Sequence, residues 1–430
     1  MRFCRLLFFC LFLSIGFADE SILIDSEELD FDPESGMAKA ARVKIEYVDG
    51  SLLTSPYGEL DTRNRSALFT SDGENLVEYR GRLENTKRDE QPFSLRCQKM
   101  LVDTRLTPIG DTLVEISAKG NVFLEIPGRL KGEGDFAQLV REGEEMRQFL
   151  FTAIHPEKRC TLTDPIGNQI QAVHIEMDMN SSKVNCQTAN GTFFHDGIPL
   201  NFFCEELEWD DQHRHILLRG DVLVDCQGFG MMTCSEEMEI CLSPGETKQL
   251  MTISAKGKST CYHLNESHSI KHTILCDGKM QFHREKMRLT MLGKNGSPVK
   301  FQDELGEIEA AKVAVWFFEE PGNRIVPSKV IMKGDVRMKN IFSEFFQEDV
   351  LTEQYAVADR VIFDTINKEA TFRAAPKKRV LFYNQTNGLQ VSAPELVMYR
   401  GAGIHPNIEG KGNVRLKLSD KEMETLSHAF

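Results

Sequence analysis

Apolar and polar positions alternate two by two along most of this chain, in runs of about four to eight residues broken by Gly, Asn and Asp. That period predicts short β-strands separated by tight turns. The clearest stretch is Leu207 to Ile240, which reads as strand, turn, strand, Gly, strand, Gly-x-Gly turn, strand. A phrase recurs in it and elsewhere: Lys119-Gly-Asn-Val122, Arg219-Gly-Asp-Val222, Lys333-Gly-Asp-Val336 and Lys411-Gly-Asn-Val414, each continuing Val-x-apolar. Looser copies stand at Lys256-Gly-Lys258 and Asp277-Gly-Lys-Met280. Gly serves where φ is positive or a side chain would clash, and the neighbouring Asn or Asp bonds the local backbone. The recurrence predicts a repeated β-unit with variable loops.

One segment departs from the rhythm. From Asp135 to Phe151 the apolar residues Phe136, Leu139, Val140, Met146, Phe149 and Leu150 match helical spacing, with Asp135 as a candidate N-cap. The expectation is one short helical insert over 135–151. Residues 341–354 are irregular and read as a linker or short helix, with further strands to residue 430.

Composition adds an address. Residues 1–18 carry Arg2 and Arg5 and then an apolar run to Phe17, the pattern of a secretory signal peptide; the run is short for a membrane span, and a retained anchor is the rival reading. Residues 19–40 form an acidic leader, and β-repeats are expected over 41–340 and 341–430. The chain has 51 Lys and Arg against 65 Asp and Glu, a net charge of −14, which opposes non-specific attraction to nucleic acid or to an anionic bilayer. No later segment is apolar for long enough to span a membrane as a helix. Nine of the eleven cysteines follow residue 18. Export permits disulfides, so one or two are expected in the middle third, with at least one thiol left over.

The unit "polar-started strand, short turn, strand running into Lys-Gly-Asp/Asn-Val" spans Leu207–Asp225, Val313–Arg337 and Ala358–Leu416, with a weaker copy at Leu113–Glu125. Placed after a signal peptide, it resembles the OstA-like, or LptA, family of lipopolysaccharide-transport proteins, which also supplies the N-terminal domain of LptD. The resemblance implies an all-β fold: an open, V-shaped β-jellyroll of antiparallel strands in the periplasm of a Gram-negative envelope. It implies lipid A acyl chains along an apolar groove, and partners that are other transport proteins or further copies, docked by strand edges. Groove candidates on that reading are Val122, Leu124, Val222, Val224, Val336, Met338, Val414 and Leu416. The same residues would equally fill a closed core, and a secreted β-solenoid without lipid cargo is the alternative. The chain is longer than a bridge protein of that family and lacks a C-terminal membrane barrel.

Chemistry is sparse. There is no Gly-x-Ser-x-Gly, His-Glu-x-x-His or phosphate-binding Gly-x-x-x-x-Gly-Lys, so no enzyme, cofactor or metal is expected. His213, His215, Cys226, Cys234, Cys241, Cys261, His263, His268, His272 and Cys276 make a Cys/His-rich middle without a Cys-x-x-Cys knuckle.

Overall fold

The computed structural model describes residues 23–417, apart from 48–49, 85–89, 107–111, 143–144, 156, 179–180, 196–197, 211, 227–229, 244–249, 265–269, 295, 304–305, 321–323, 340–353, 386–387 and 401–405. The expected signal peptide and the expected linker at 341–354, save its last residue, lie outside the described residues. Every regular element described is a strand, 34 in all.

The strands follow a six-fold order along the chain. After β1 (Leu23–Asp25) and β2 (Glu28–Asp32), each repeat has two long strands and four short ones. The first is β3 (Met37–Glu46), β4 (Leu52–Asp61), β5 (Ser66–Thr70), β6 (Val77–Glu84), β7 (Glu90–Cys97) and β8 (Lys99–Leu106). The second is β9 (Thr112–Ile126), β10 (Leu130–Glu142), β11 (Glu145–Thr152), β12 (Cys160–Thr163), β13 (Gln169–Ala172) and β14 (His174–Asp178). The third is β15 (Lys183–His195), β16 (Ile198–Asp210), β17 (His215–Arg219), β18 (Val222–Cys226), β19 (Gly230–Cys234) and β20 (Glu237–Leu242). The fourth is β21 (Leu250–Leu264), β22 (Ile270–His283), β23 (Arg288–Gly293), β24 (Val299–Asp303), β25 (Glu307–Ala310) and β26 (Lys312–Glu320). The fifth is β27 (Arg324–Lys339), β28 (Gln354–Asp364), β29 (Glu369–Arg373), β30 (Val380–Asn384), β31 (Leu389–Ala393) and β32 (Glu395–Arg400); β33 (Pro406–Lys411) and β34 (Arg415–Lys417) close the chain. Repeats begin at Met37, Thr112, Lys183, Leu250 and Arg324, so the period is 67 to 75 residues.

The chain divides into two units, residues 1–194 with 206–213, and residues 195–205 with 214–430. Each unit is built from two antiparallel walls. In the N-terminal unit β2, β5, β8, β11 and β14 pair with one half of the long strands. The others, β1, β6, β7, β12 and β13, pair with the opposite half. In the C-terminal unit β17, β20, β23, β26, β29, β32 and β33 belong to the first wall. Its second wall contains β18, β19, β24, β25, β30, β31 and β34. The long strands run from one wall into the other and so make a corner. At the far margins the hairpins return within the same wall.

The recurrent Gly phrase marks that corner. Gly120 and Asn121 have φ of 78° and 45°, and Gly334 and Asp335 have 81° and 47°. In the β9–β10 ladder these two residues face only Asp135, and in β27–β28 they face only Asp359, so each corner is a β-bulge that sharpens the bend. The bulge carbonyls accept across the corner: the Gln98 N–H donates to Gly120 O at 2.9 Å and the Ala311 N–H to Gly334 O at 3.0 Å. The opposing carboxylates are held in turn, Asp135 by Lys158 Nζ at 2.7 Å and Asp359 by Lys378 Nζ at 2.9 Å. In β3 the bend falls at Arg42 (φ 53°), and the buried positions change phase from Ala38 and Ala40 to Val43 and Ile45, which keeps the same side facing inward past the bend.

One expectation is corrected here. Residues 135–151 hold no helix: they lie in β10 and β11, a hairpin in which Ala137 faces Phe151 and Leu139 faces Phe149. The helical spacing came from two period-two runs on either side of the turn, joined by the half-buried Phe136, Val140 and Leu150 of the outer face. Within the acidic leader, β1 and β2 pair with β3.

Candidate functional site

The candidate site is the apolar interior between the walls. Inward side chains from successive strands stack in layers. The first residue of each second-wall strand after the corner is Val77, Cys160, Val222, Val299 or Val380, none more than 2% exposed. The last residue of the strand that returns to the corner is Cys97, Ala172, Cys234, Ala310 or Ala393, at most 1% exposed. These layers admit only a small apolar side chain, and all ten positions are Cys, Ala or Val for that reason. Farther from the corner the layers take aromatics. In the N-terminal unit Tyr79, Phe93, Phe149 and Phe151 form a chain of rings with centroids 5.4 to 6.4 Å apart, and in the C-terminal unit Phe363 meets Phe372 edge to face.

The groove candidates fall in two groups. Val122, Leu124, Val222, Val224, Val336 and Met338 are all buried between the walls of their unit. Val414 and Leu416 are exposed, the latter by 60%. Leu416 sits opposite the buried Val391, so it belongs to the inward side, but β34 is the last described strand and no other described strand covers it. At the start of the N-terminal unit Leu29 and Phe31 are likewise opposite the buried Ala40 and Ala38 and remain exposed. Each of these ends presents apolar side chains beside an edge strand. The aromatic layer, Phe149 and Phe151 above all, escaped the sequence reading because it lay in the supposed helix.

The cysteines belong to this interior. Cys97, Cys160, Cys186, Cys204, Cys234, Cys241, Cys261 and Cys276 form no disulfide, which overturns the expectation of one or two disulfides among them. Burial pushes the Cys97, Cys204 and Cys261 thiols up to about 12 and those of Cys160 and Cys276 up to about 11. Such thiols neither ionise nor attack at neutral pH.

The outward faces carry the polar chemistry. In the Cys/His-rich middle, His215, Glu239 and Cys241 place one donor atom each within 4.8 Å of one another, the one such set of His, Cys and acidic groups among the described residues. His215 stands directly across from Cys241, and its Nε2 is 3.0 Å from Glu239 Oε1, a hydrogen bond that outward cross-strand neighbours form without an ion. Asp210 is buried in the N-terminal unit. Burial raises its pKa, but the main-chain N–H and imidazole of His213, together with Lys183, outweigh that and hold it at about 2. No described helix is long and apolar enough to cross a membrane.

Comparison with known proteins gives little more. The chain matches no protein-family model and no curated protein. Among solved structures it is similar to LptH, the LptA-homologous periplasmic component of the lipopolysaccharide transport device of Pseudomonas aeruginosa. That likeness has a TM-score of 0.26 and 6% identity, and covers 34% of this chain and 93% of LptH. It is a distant match to an LptA-like periplasmic β-protein, and assigns the chain to no family.

Proposed function

We propose that this chain is a non-enzymatic protein of the Gram-negative periplasm that carries lipopolysaccharide, holding lipid A acyl chains between its walls. One observation supports the reading: among the described residues of each unit, the backbone ladders of the two walls are joined along the corner, around an interior of apolar side chains. Parting the walls at their free margins would admit acyl chains, and each CH₂ moved out of water contributes about 0.8 kcal/mol. The exposed apolar ends at Leu29 and Phe31 and at Val414 and Leu416 support docking of other transport proteins, or of further copies, onto the edge strands. The alternative, a secreted interaction scaffold without lipid, is favoured by how completely Val122, Val222 and Val336 are buried, because a filled interior needs no cargo.

The test is photocrosslinking in envelope preparations. A photoreactive residue at Val224 or Met338, which face inward, is compared with one at Asp225 or Lys339, which face outward. Lipopolysaccharide adducts at the inward positions alone support carriage. Folded, exported protein without adducts at Val224 and Met338 removes the lipid cargo and leaves the scaffold.

A further inference from the structure

The outward side of the first wall of the C-terminal unit bears a line of positive charge that the fold does not require. Beside the corner, Lys256 faces Lys279, Lys279 faces Leu292, Leu292 faces Lys312, Lys312 faces Lys333, Lys333 faces Arg360 and Arg360 faces Arg373. Six cations and one leucine therefore stand in register across seven strands, a length of about 29 Å at the usual ~4.8 Å strand spacing. Among the described residues ion pairs neutralise only the two ends, Lys256 by Glu237 at 2.8 Å and Arg373 by Glu395 at 2.6 Å. Like charges placed directly opposite one another destabilise a sheet, and the chain as a whole carries −14.

The corresponding line in the N-terminal unit is different. There Tyr57, Thr70, Lys99, Lys119, Phe136 and Thr152 stand in register, with two cations in six. The corner is made equally well without the charge, so the line in the C-terminal unit calls for a ligand.

A hollow of about 340 Å³ lies against it, lined by Lys279, Arg288, Leu292, Lys312, Trp316 and Lys333. The Arg288 guanidinium lies 4.8 Å from the Trp316 ring centre, and its Nε is buried without a hydrogen-bond partner. Leu292, in the middle of the cations, is 45% exposed.

We infer that this face docks on the surface of an anionic phospholipid bilayer. The line of lysines and arginines meets several headgroup phosphates at once, and basic clusters of this size bind anionic membrane surfaces. The hollow receives one headgroup among Lys279, Lys312 and Lys333. Leu292 and the indole of Trp316 occupy the headgroup level, where aromatic and apolar side chains collect at membrane interfaces. A soluble polyanion would use the cations but gain nothing from Leu292, and this is why the lipid surface is preferred. The inference concerns the outside of the wall and stands whether or not the interior carries lipid.

Vesicle sedimentation tests it with the full chain lacking residues 1–18. Binding to vesicles of phosphatidylglycerol with phosphatidylcholine is expected to exceed binding to pure phosphatidylcholine, and to fall with added salt. Each of Lys312→Gln and Lys333→Gln lowers the partition coefficient by about fivefold, and the pair by about 25-fold. The matched pair Lys99→Gln and Lys119→Gln, in the other unit, leaves it unchanged. Leu292→Ser weakens vesicle binding but not binding of linear inorganic polyphosphate. Equal binding to both vesicle types, or equal loss in both lysine pairs, overturns the inference. So does retention of polyphosphate with no vesicle binding, which would identify a soluble polyanion instead.

Discussion

Replacing Gly334 by Ala tests the corner directly. Gly334 has φ of 81°, a left-handed conformation that costs an L-residue about 1 kcal/mol. An added Cβ would also lie 2.9 Å from Ala311 Cβ, closer than two such carbons pack. Ala311 cannot withdraw freely, since its N–H donates to Gly334 O at 3.0 Å. Separating the carbons stretches that bond, worth a further ~1 kcal/mol. The expected loss is about 2 kcal/mol. Gly296→Ala is the control in the same unit: φ is 84°, but no atom lies within 4 Å of the added carbon, so only ~1 kcal/mol should be lost. Urea unfolding followed by tryptophan fluorescence reads the difference, because Trp316 reports on this unit. With m near ~2 kcal/mol/M, the G334A midpoint should fall about 0.5 M below that of G296A. Coincident midpoints would refute the claim that the recurrent glycine serves close approach at the corner rather than φ alone.

Three other outcomes follow from the geometry. Asp210, held at about 2 against an ordinary value of 3.8, contributes about 2 kcal/mol that is complete above roughly pH 4 and lost as pH falls towards 2; Asp210→Asn should flatten acid unfolding in that window, and an unchanged acid limb would contradict the placement of the His213 and Lys183 bonds. Cys97, Cys160, Cys204 and Cys276 should resist iodoacetamide at pH 8 and react once the chain is unfolded without reductant; a disulfide found between any two of the described cysteines would show the interior to be wrongly assigned. Phe149→Ala, which empties a fully buried ring position beside Phe93 and Phe151, should cost about 3–5 kcal/mol by thermal or urea unfolding, and a loss under ~1 kcal/mol would mean that the walls there are not packed on each other.

Much of the architecture was legible. The four strands read over Leu207–Ile240 appear as the end of β16 and β17 to β19, with a fifth, β20, unforeseen and the Gly-x-Gly turn lying mostly outside the described residues, and the Lys-Gly-Asn/Asp phrase does mark a repeated structural point. The true period was hidden because the phrase marks more than one kind of corner. Gly120, Gly257 and Gly334 bend the first long strand of a repeat, whereas Gly220 joins two short strands. The equivalent bends in β3 and β15 use Arg42 and Thr188, so nothing in their sequence announces them. The helix error over 135–151 has a similar origin, for a hairpin resets the alternation and the bulge at Val140 and Arg141 shifts it again. Cysteine was misjudged because its chemistry was read before its size. Cross-strand rows are the least legible feature of all: Lys279, Lys312, Lys333 and Arg360 become neighbours only once the register is known.

The six-strand order has an energetic consequence. Within each unit a strand bonds only to the strands beside it, so the free energy of the stack is a sum of local terms and couplings between adjacent layers. Damage should then stay local, and opening should begin at the terminal strands, whose layers are coupled on one side only. Length becomes an adjustable parameter: one period of 67 to 75 residues could be gained or lost between corners while the remaining couplings stay as they are. A protein built this way can gain or lose layers without redesign of its interior.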